Sequence, residues 1–254
     1  MTKKEYAMSQ PIRTVGRMVD LLELFDVGTP TLDIRELVSM SGLPKSTVLR
    51  LAGDLVSRGV LSVDSHGRYT IGAALLRWTR LAQRMWRVDE ETQEVLAHLV
   101  RDLGETATLY VRQDLDRTPI ASADGRHAVR NVVEIGARMP LTVGAPSMVL
   151  LSGDPHIIER LQDRDPGLDT ESLRARAQAV VEQGYAHSEG EREVGAASVA
   201  VPVRRGTGQV IAALSVSGPL SRFTEEARRR AQARLIEAGD LLSGRGIGPV
   251  GGLL

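Results

Sequence analysis

The chain has 254 residues with 32 basic and 32 acidic side chains, a formal net charge of zero, and 42% of its residues are hydrophobic. That apolar fraction supports packed cores, and the length suits one or two domains. The absence of cysteine excludes a disulfide scaffold, thiolate catalysis and Cys-ligated zinc, while neutrality argues at first sight against nucleic acid as a partner.

The N-terminal MTKKEYAMSQPIR carries basic residues but no apolar core of a secretory signal. No apolar run approaches the roughly 20 residues that cross a bilayer. The expectation is a soluble, cytoplasmic protein with no membrane partner.

Val15, Met18, Val19, Leu22 and Phe25 follow helical spacing across 14–27, and Gly28-Thr29-Pro30 closes that segment. Asp33 can cap a short helix over 34–40, buried through Ile34, Leu37 and Val38. Ser41-Gly42-Leu43 makes a tight turn into a third helix over 44–58, where Val48, Leu51 and Leu55 face a core. Lys45, Ser46, Thr47, Arg50 and Asp54 face the other way, and Asp54 can pair with Arg50 and Arg58. Val60–Val63 and Arg68–Ile71 are two short β segments around the turn Asp64-Ser65-His66-Gly67.

Three helices, a glycine turn and a hairpin describe a winged helix-turn-helix. A lone polar helix face is ordinarily just solvated; the ordered set points instead to DNA. The major groove admits one helix, and the third helix begins with small hydroxyls and cations. Ser46 and Thr47 let backbone approach, Lys45 and Arg50 reach phosphates or guanine edges, His66 and Arg68 sit at the wing, and Arg17 is a phosphate clamp on the first helix. The charge distribution agrees. Residues 1–80 hold 11 basic against 8 acidic side chains, a net of +3, and the remainder holds 21 against 24, a net of −3.

LVSMSGLPKSTVLRL at 37–51 resembles the recognition segment of the IclR family of bacterial transcriptional regulators. Arg17 and the wing residues Gly67-Arg68-Tyr69 with Ile71-Gly72 extend the similarity. The resemblance continues through Met139-Pro140-Leu141, Gly184-Tyr185-Ala186, AVPV at 200–203 and ALSVSGP at 213–219. It implies a DNA-binding domain joined to an effector-binding domain, in dimers or dimers of dimers.

Residues 73–86 read as a helix with Leu75, Leu76, Leu81 and Met85 apolar, and with Trp78 and Trp86 in core or interhelical packing. In the resembled family this segment links the domains and helps the dimer form. A helix over 89–103 ends at Gly104. Strands follow at 105–113, 117–122 and 129–135, then helices at 145–151, 155–162 and 170–184. Strands at 185–188, 197–203 and 209–217 precede a closing helix over 224–242. Antiparallel strands with helices between them predict an α+β, GAF-like domain around a curved antiparallel sheet. The domain reading is 1–72 winged helix-turn-helix, 73–88 linker helix, 89–243 effector-binding domain and 244–254 a flexible, glycine-rich tail.

The five histidines, at 66, 98, 127, 156 and 187, form no metal or catalytic spacing. Gly206-Thr207-Gly208 is a hairpin turn. We expect no catalysis, no cofactor and no metal. Strand alternation puts Ser215 and Ser217 on one sheet face and Leu214 and Val216 on the other. These hydroxyls are either the wet face of a half-buried strand or contacts for a ligand or ordered water. The run Val210-Ile211-Ala212-Ala213, apolar on both faces, favours the latter.

The resemblance carries effector binding onto Ser215 and Ser217. It adds Ala145 and Pro146 at a helix start that offers N–H groups to an anion, Ser188 at a position often acidic, and Ser198. Pro146 has no N–H and Ser188 replaces a carboxylate. Both weigh against a glyoxylate- or pyruvate-like effector and point to a small organic acid or derivative, aromatic ones included. The expected partners are pseudo-palindromic double-stranded operator DNA, that effector and a second copy of the chain. The first reading is a catabolic repressor released by effector, and an activator is the alternative. A catalytic GAF-like domain with a vestigial helix-turn-helix and a ligand-independent DNA binder are the competing classes.

Overall fold

The structure, a computed structural model, describes residues 12–254; the reading of the N-terminal segment falls largely on residues outside these. The chain divides between Arg84 and Met85 into two compact units.

In the first unit, α1 spans Arg13–Leu22. It stops well before Gly28: the Phe25 N–H donates to the Leu22 carbonyl at 3.2 Å, and a separate turn follows in which the Asp26 carboxylate accepts the Thr29 N–H at 2.6 Å. Leu21 is the fully buried residue of α1, whereas Val15 and Val19, expected on its inner face, are exposed. Phe25 returns to the core from the turn. α2 (Ile34–Ser41) begins with a reciprocal capping box between Asp33 and Glu36 and ends at Gly42, whose φ of 65° favours glycine. α3 spans Lys45–Ser57 and buries Val48, Leu51, Ala52 and Leu55, and Pro44 is its N-cap. The wing pairs β2 (Leu61–Val63) with β3 (Tyr69–Ile71), and a two-residue β1 (Thr31–Leu32) adds to β3. A two-residue strand carries no alternation, so β1 has no signature in the sequence.

α4 spans Ala74–Met85 and buries none of its residues. Leu75 touches the small cluster around Leu55 and Leu61, so this helix groups with the first unit. Leu76, Trp78, Leu81 and Met85 are exposed, which removes the core alternative for Trp78 and leaves interhelical packing. Trp86, by contrast, packs against the core of the second unit.

The second unit is built on one antiparallel sheet of six strands in the order β6-β5-β4-β9-β8-β7. These are β4 (Thr106–Gln113), β5 (Asp116–Ala123), β6 (Met139–Pro140), β7 (Ala186–Glu189), β8 (Ala196–Arg204) and β9 (Val210–Pro219). One face packs against α5 (Glu90–Leu103) and α9 (Glu225–Arg245) through Leu96, Leu99, Leu235 and Leu242. The other carries α6 (Ala145–Ser152), α7 (Ile157–Arg164) and α8 (Thr170–Gln183). Alternation sends Leu214 and Val216 into the first core and Ala213 into the second. Ala200, Ala213 and Ala186 line the second face and let α6 approach closely.

Two expectations are corrected. Residues 129–135 form no strand; Val129, Val132 and Ile135 are exposed and Val133 alone is buried, so the stretch is an irregular loop with one apolar anchor. The tail is not free of the body. α9 runs to Arg245, a 3-10 turn spans Pro249–Leu253, and Ile247 and Val250 are fully buried in the main core. Its glycines permit the sharp turns that carry these two side chains inward.

Candidate DNA-binding face and effector cleft

The exposed start of α3 is set by its buried stripe. With Val48, Leu51 and Leu55 inward, Lys45, Ser46 and Arg50 are left on the surface and Thr47 is half-buried. Pro44 supplies no side-chain cap. The N–H groups of Lys45 and Ser46 therefore remain available to an anion, while that of Thr47 donates to the Pro44 carbonyl at 2.8 Å. Among the described residues Asp54 forms no ion pair with Arg50 or Arg58, and Lys45, Arg50 and Arg17 are likewise unpaired. Arg17 is exposed on α1. Leu49, one turn after Lys45, is also exposed and adds an apolar contact to this face. The sequence pattern alone does not assign it, because a leucine there suits a core equally well.

The wing turn is tied by the Asp64 carboxylate, which accepts the N–H groups of His66 (2.8 Å) and Arg68 (2.9 Å). These bonds hold the Asp64 carboxyl below its ordinary range. His66 is exposed at the tip. Arg68 is turned back into the domain. Its guanidinium donates to Thr31 Oγ1 (3.1 Å), to the Thr31 carbonyl (2.8 Å) and to Glu36 (3.0 Å). Since Glu36 also accepts the Asp33 N–H, Arg68 fastens the wing to the cap of α2.

In the second unit a cleft opens at the N-terminus of α6, where the sheet face changes from alanine to hydroxyl side chains. Strand register lines up Ser188, Ser198, Ser217 and Thr106 across four strands, with Ser215 and Thr108 in the next row. The cleft is open to solvent, spans about 400 Å³ with that solvent included, and is lined by Pro146, Ser188, Ser198, Ser215 and Ser217 among others. Five of the six expected effector residues are thus brought together. Ala145 is buried beside them, and its N–H donates to Ser188 Oγ at 3.0 Å.

That bond alters the expected chemistry of the helix start. Ser188 Oγ also pairs with Ser198 Oγ at 2.8 Å, and the Gly144 N–H donates to Glu191 at 2.8 Å. With Pro146 lacking an N–H, Ser188 and Glu191 already take up the donors at this terminus. Gly144 needs its φ of 89° to enter α6 in this orientation.

Further residues complete the lining, none of them foreseen from the sequence. Asn131 Nδ2 donates to Ser217 Oγ (2.6 Å), and Arg192 donates to Asn131 Oδ1 (2.7 Å), drawing the β7–β8 loop over the cleft. Glu191 is paired with Arg176 at 2.6 Å. Arg117 enters from β5, where Asp116 and Arg117 head an otherwise uncharged strand. It is 2% exposed and stands 5.5 Å from the Tyr110 ring centroid. Burial pushes its guanidinium down to about 10, so it stays charged at neutral pH; burial likewise pushes the Tyr110 phenol up.

Among the described residues no helix is long and apolar enough to cross a membrane. No group of three or more metal-ligating side chains occurs there either.

Residues 14–65 match the IclR helix-turn-helix domain and residues 82–244 the bacterial transcriptional regulator IclR C-terminal domain. The chain is similar to the HTH-type transcriptional regulator KipR of Bacillus subtilis, 31% identical over 86% of this chain and 91% of that one. It is similar to the crystal structure of an IclR-family regulator from Rhodococcus sp., 36% identical, covering 96% of this chain and 97% of that one with a TM-score of 0.64. The fold also matches an IclR homologue from Microbacterium hydrocarbonoxydans complexed with 4-hydroxybenzoate, at 24% identity and a TM-score of 0.69, covering 91% and 98% of the two chains. The relatives are named as regulators rather than enzymes. With both domain matches in place along one chain, the protein belongs to the IclR family of DNA-binding transcriptional regulators.

Proposed function

We propose that the chain represses an operon until a small organic acid enters the cleft and loosens the complex with DNA. The observation that carries this reading is the presence, in one chain, of a cationic helix start and a buried cleft of hydroxyls and guanidinium. Lys45, Ser46, Thr47 and Arg50 meet the major groove, with Leu49 against a thymine methyl group. Arg17 and the wing residue His66 hold the backbone, and Arg68 sets the angle of the wing rather than touching DNA.

A homodimer presents two such helices to a pseudo-palindromic site. The exposed apolar residues of α4, Trp78, Leu81 and Met85, fall on one helical face and support that association. Ser188, Ser198, Ser215 and Ser217, with Ala145 and Pro146 at the start of α6, form the effector wall. The Microbacterium homologue's 4-hydroxybenzoate supports an acid of that general size. An electrophoretic shift with DNA upstream of the regulator's own gene, with and without 4-hydroxybenzoate and short keto acids, tests the reading. Specific binding weakened by an acid supports it; tightening by an acid would make the protein an activator, and turnover of the acid would make it an enzyme.

A further inference from the structure

Most donors in the cleft are already committed. The Gly144 and Ala145 N–H groups go to Glu191 and Ser188, and Asn131 Nδ2 goes to Ser217. The charges are mostly matched as well: Glu191 is paired with Arg176 and Glu193 with Arg192.

Arg117 is the exception. It is 2% exposed and pairs with no carboxylate among the described residues. Its Nη1 donates to the carbonyl oxygens of Pro140 and Val143 and to Ser147 Oγ, but Nε is buried without a partner. Nη2, facing Gly144 at the cleft wall, has no hydrogen-bond partner among the described residues. A guanidinium with two parallel donors unspent is the geometry that grips a carboxylate in bidentate fashion. A buried charge left unpaired is costly, and an anion arriving from the cleft removes that cost.

We propose that Arg117 is the anchor for the effector and that it selects a small monocarboxylate, whose two oxygens pair with Nε and Nη2. The Ser215 and Ser217 hydroxyls then face the rest of the ligand. The inference rests on the cleft being the effector site. It adds that one unpaired cation sets the ligand's charge, and that the charge is read from β5 rather than from the N-terminus of α6.

The test is calorimetric titration of the full chain with 4-hydroxybenzoate, benzoate and pyruvate, each acid compared with its neutral amide. A charge-assisted bidentate pair should favour acid over amide by about 10- to 100-fold. Arg117→Gln should erase that preference, Arg117→Lys should retain part of it, and Ser217→Ala should weaken acid and amide alike. Melting curves and ligand-free operator binding of each variant confirm that it is folded.

Acid and amide binding equally to the wild type, or Arg117→Gln keeping the preference, overturns the role of Arg117; continued sensitivity to Ser217→Ala would leave the cleft reading standing. An acid bound by both Arg117→Gln and Ser217→Ala as tightly as by the wild type lies outside the cleft and overturns both. Binding of none of the three acids overturns the monocarboxylate class.

Discussion

Ile247→Ala tests the packing of the C-terminal tail. Ile247 is 1% exposed and sits in the same cluster as Leu96, Leu235 and Leu242. Truncating a fully buried isoleucine removes its transfer free energy and leaves a cavity, together about 2–5 kcal/mol. The second unit extends from Met85 to Leu254. For a domain of that size each kcal/mol lowers the melting temperature by about 2–4 °C, so the expected drop is about 4–20 °C. Calorimetry on the full chain reads this directly. The buried clusters of the DNA-binding unit contain no tail residue, so the operator affinity of the folded variant should not change. A free tail would make the substitution worth less than about 0.5 kcal/mol. A melting temperature within about 2 °C of wild type would therefore refute the packing argument.

Arg50→Ala should cost about 1–3 kcal/mol of operator affinity and relax preference at one base position in a binding-site selection. Arg17→Ala should weaken binding to all sequences alike and lower the slope of log affinity against log salt by about 1; the reverse pattern would exchange their roles. Arg68→Ala should destabilise the DNA-binding unit by about 1–2 kcal/mol, a value reduced by the partial exposure of the Arg68–Glu36 pair, without changing base preference. Asp33 and Asp64 have folded pKa values lowered by the backbone N–H groups of Glu36 and Arg68. Their contribution is therefore complete above the unfolded value and is lost as pH falls below about 4. Asp33→Asn with Asp64→Asn should flatten the acid limb of the stability profile in that window, and an unchanged limb would contradict the assignment.

Most of the DNA-binding unit was legible because its signals are local. The Asp33 cap, Gly42 and the stripe Val48, Leu51 and Leu55 each determine their own turn of helix. α1 was misread at its inner face, since Val15 and Val19 match the helical period as well as Leu21 does, and only tertiary packing decides between them. The strand alternation at Leu214–Ser217 separates Ser215 and Ser217, which line the cleft, from Leu214 and Val216, which enter the opposite core. The rest of the cleft was not legible. Asn131, Glu191 and Arg192 lie on irregular loops, and their meeting depends on contacts distant in sequence, 47 residues for Gly144 with Glu191 and 86 for Asn131 with Ser217. The tail was misjudged because glycine content reports backbone freedom, whereas Ile247 and Val250 supply the burial that removes it.

The central claim is that a ligand in the cleft governs affinity for DNA. The most direct measurement is operator dissociation by fluorescence anisotropy, with and without an acid shown to bind by calorimetry, in wild type and in Arg117→Gln. A coupling of about 1–3 kcal/mol corresponds to a weakening of roughly 5- to 150-fold in the wild type, with little change in the variant. An operator affinity unmoved by a saturating, cleft-bound acid would contradict the account.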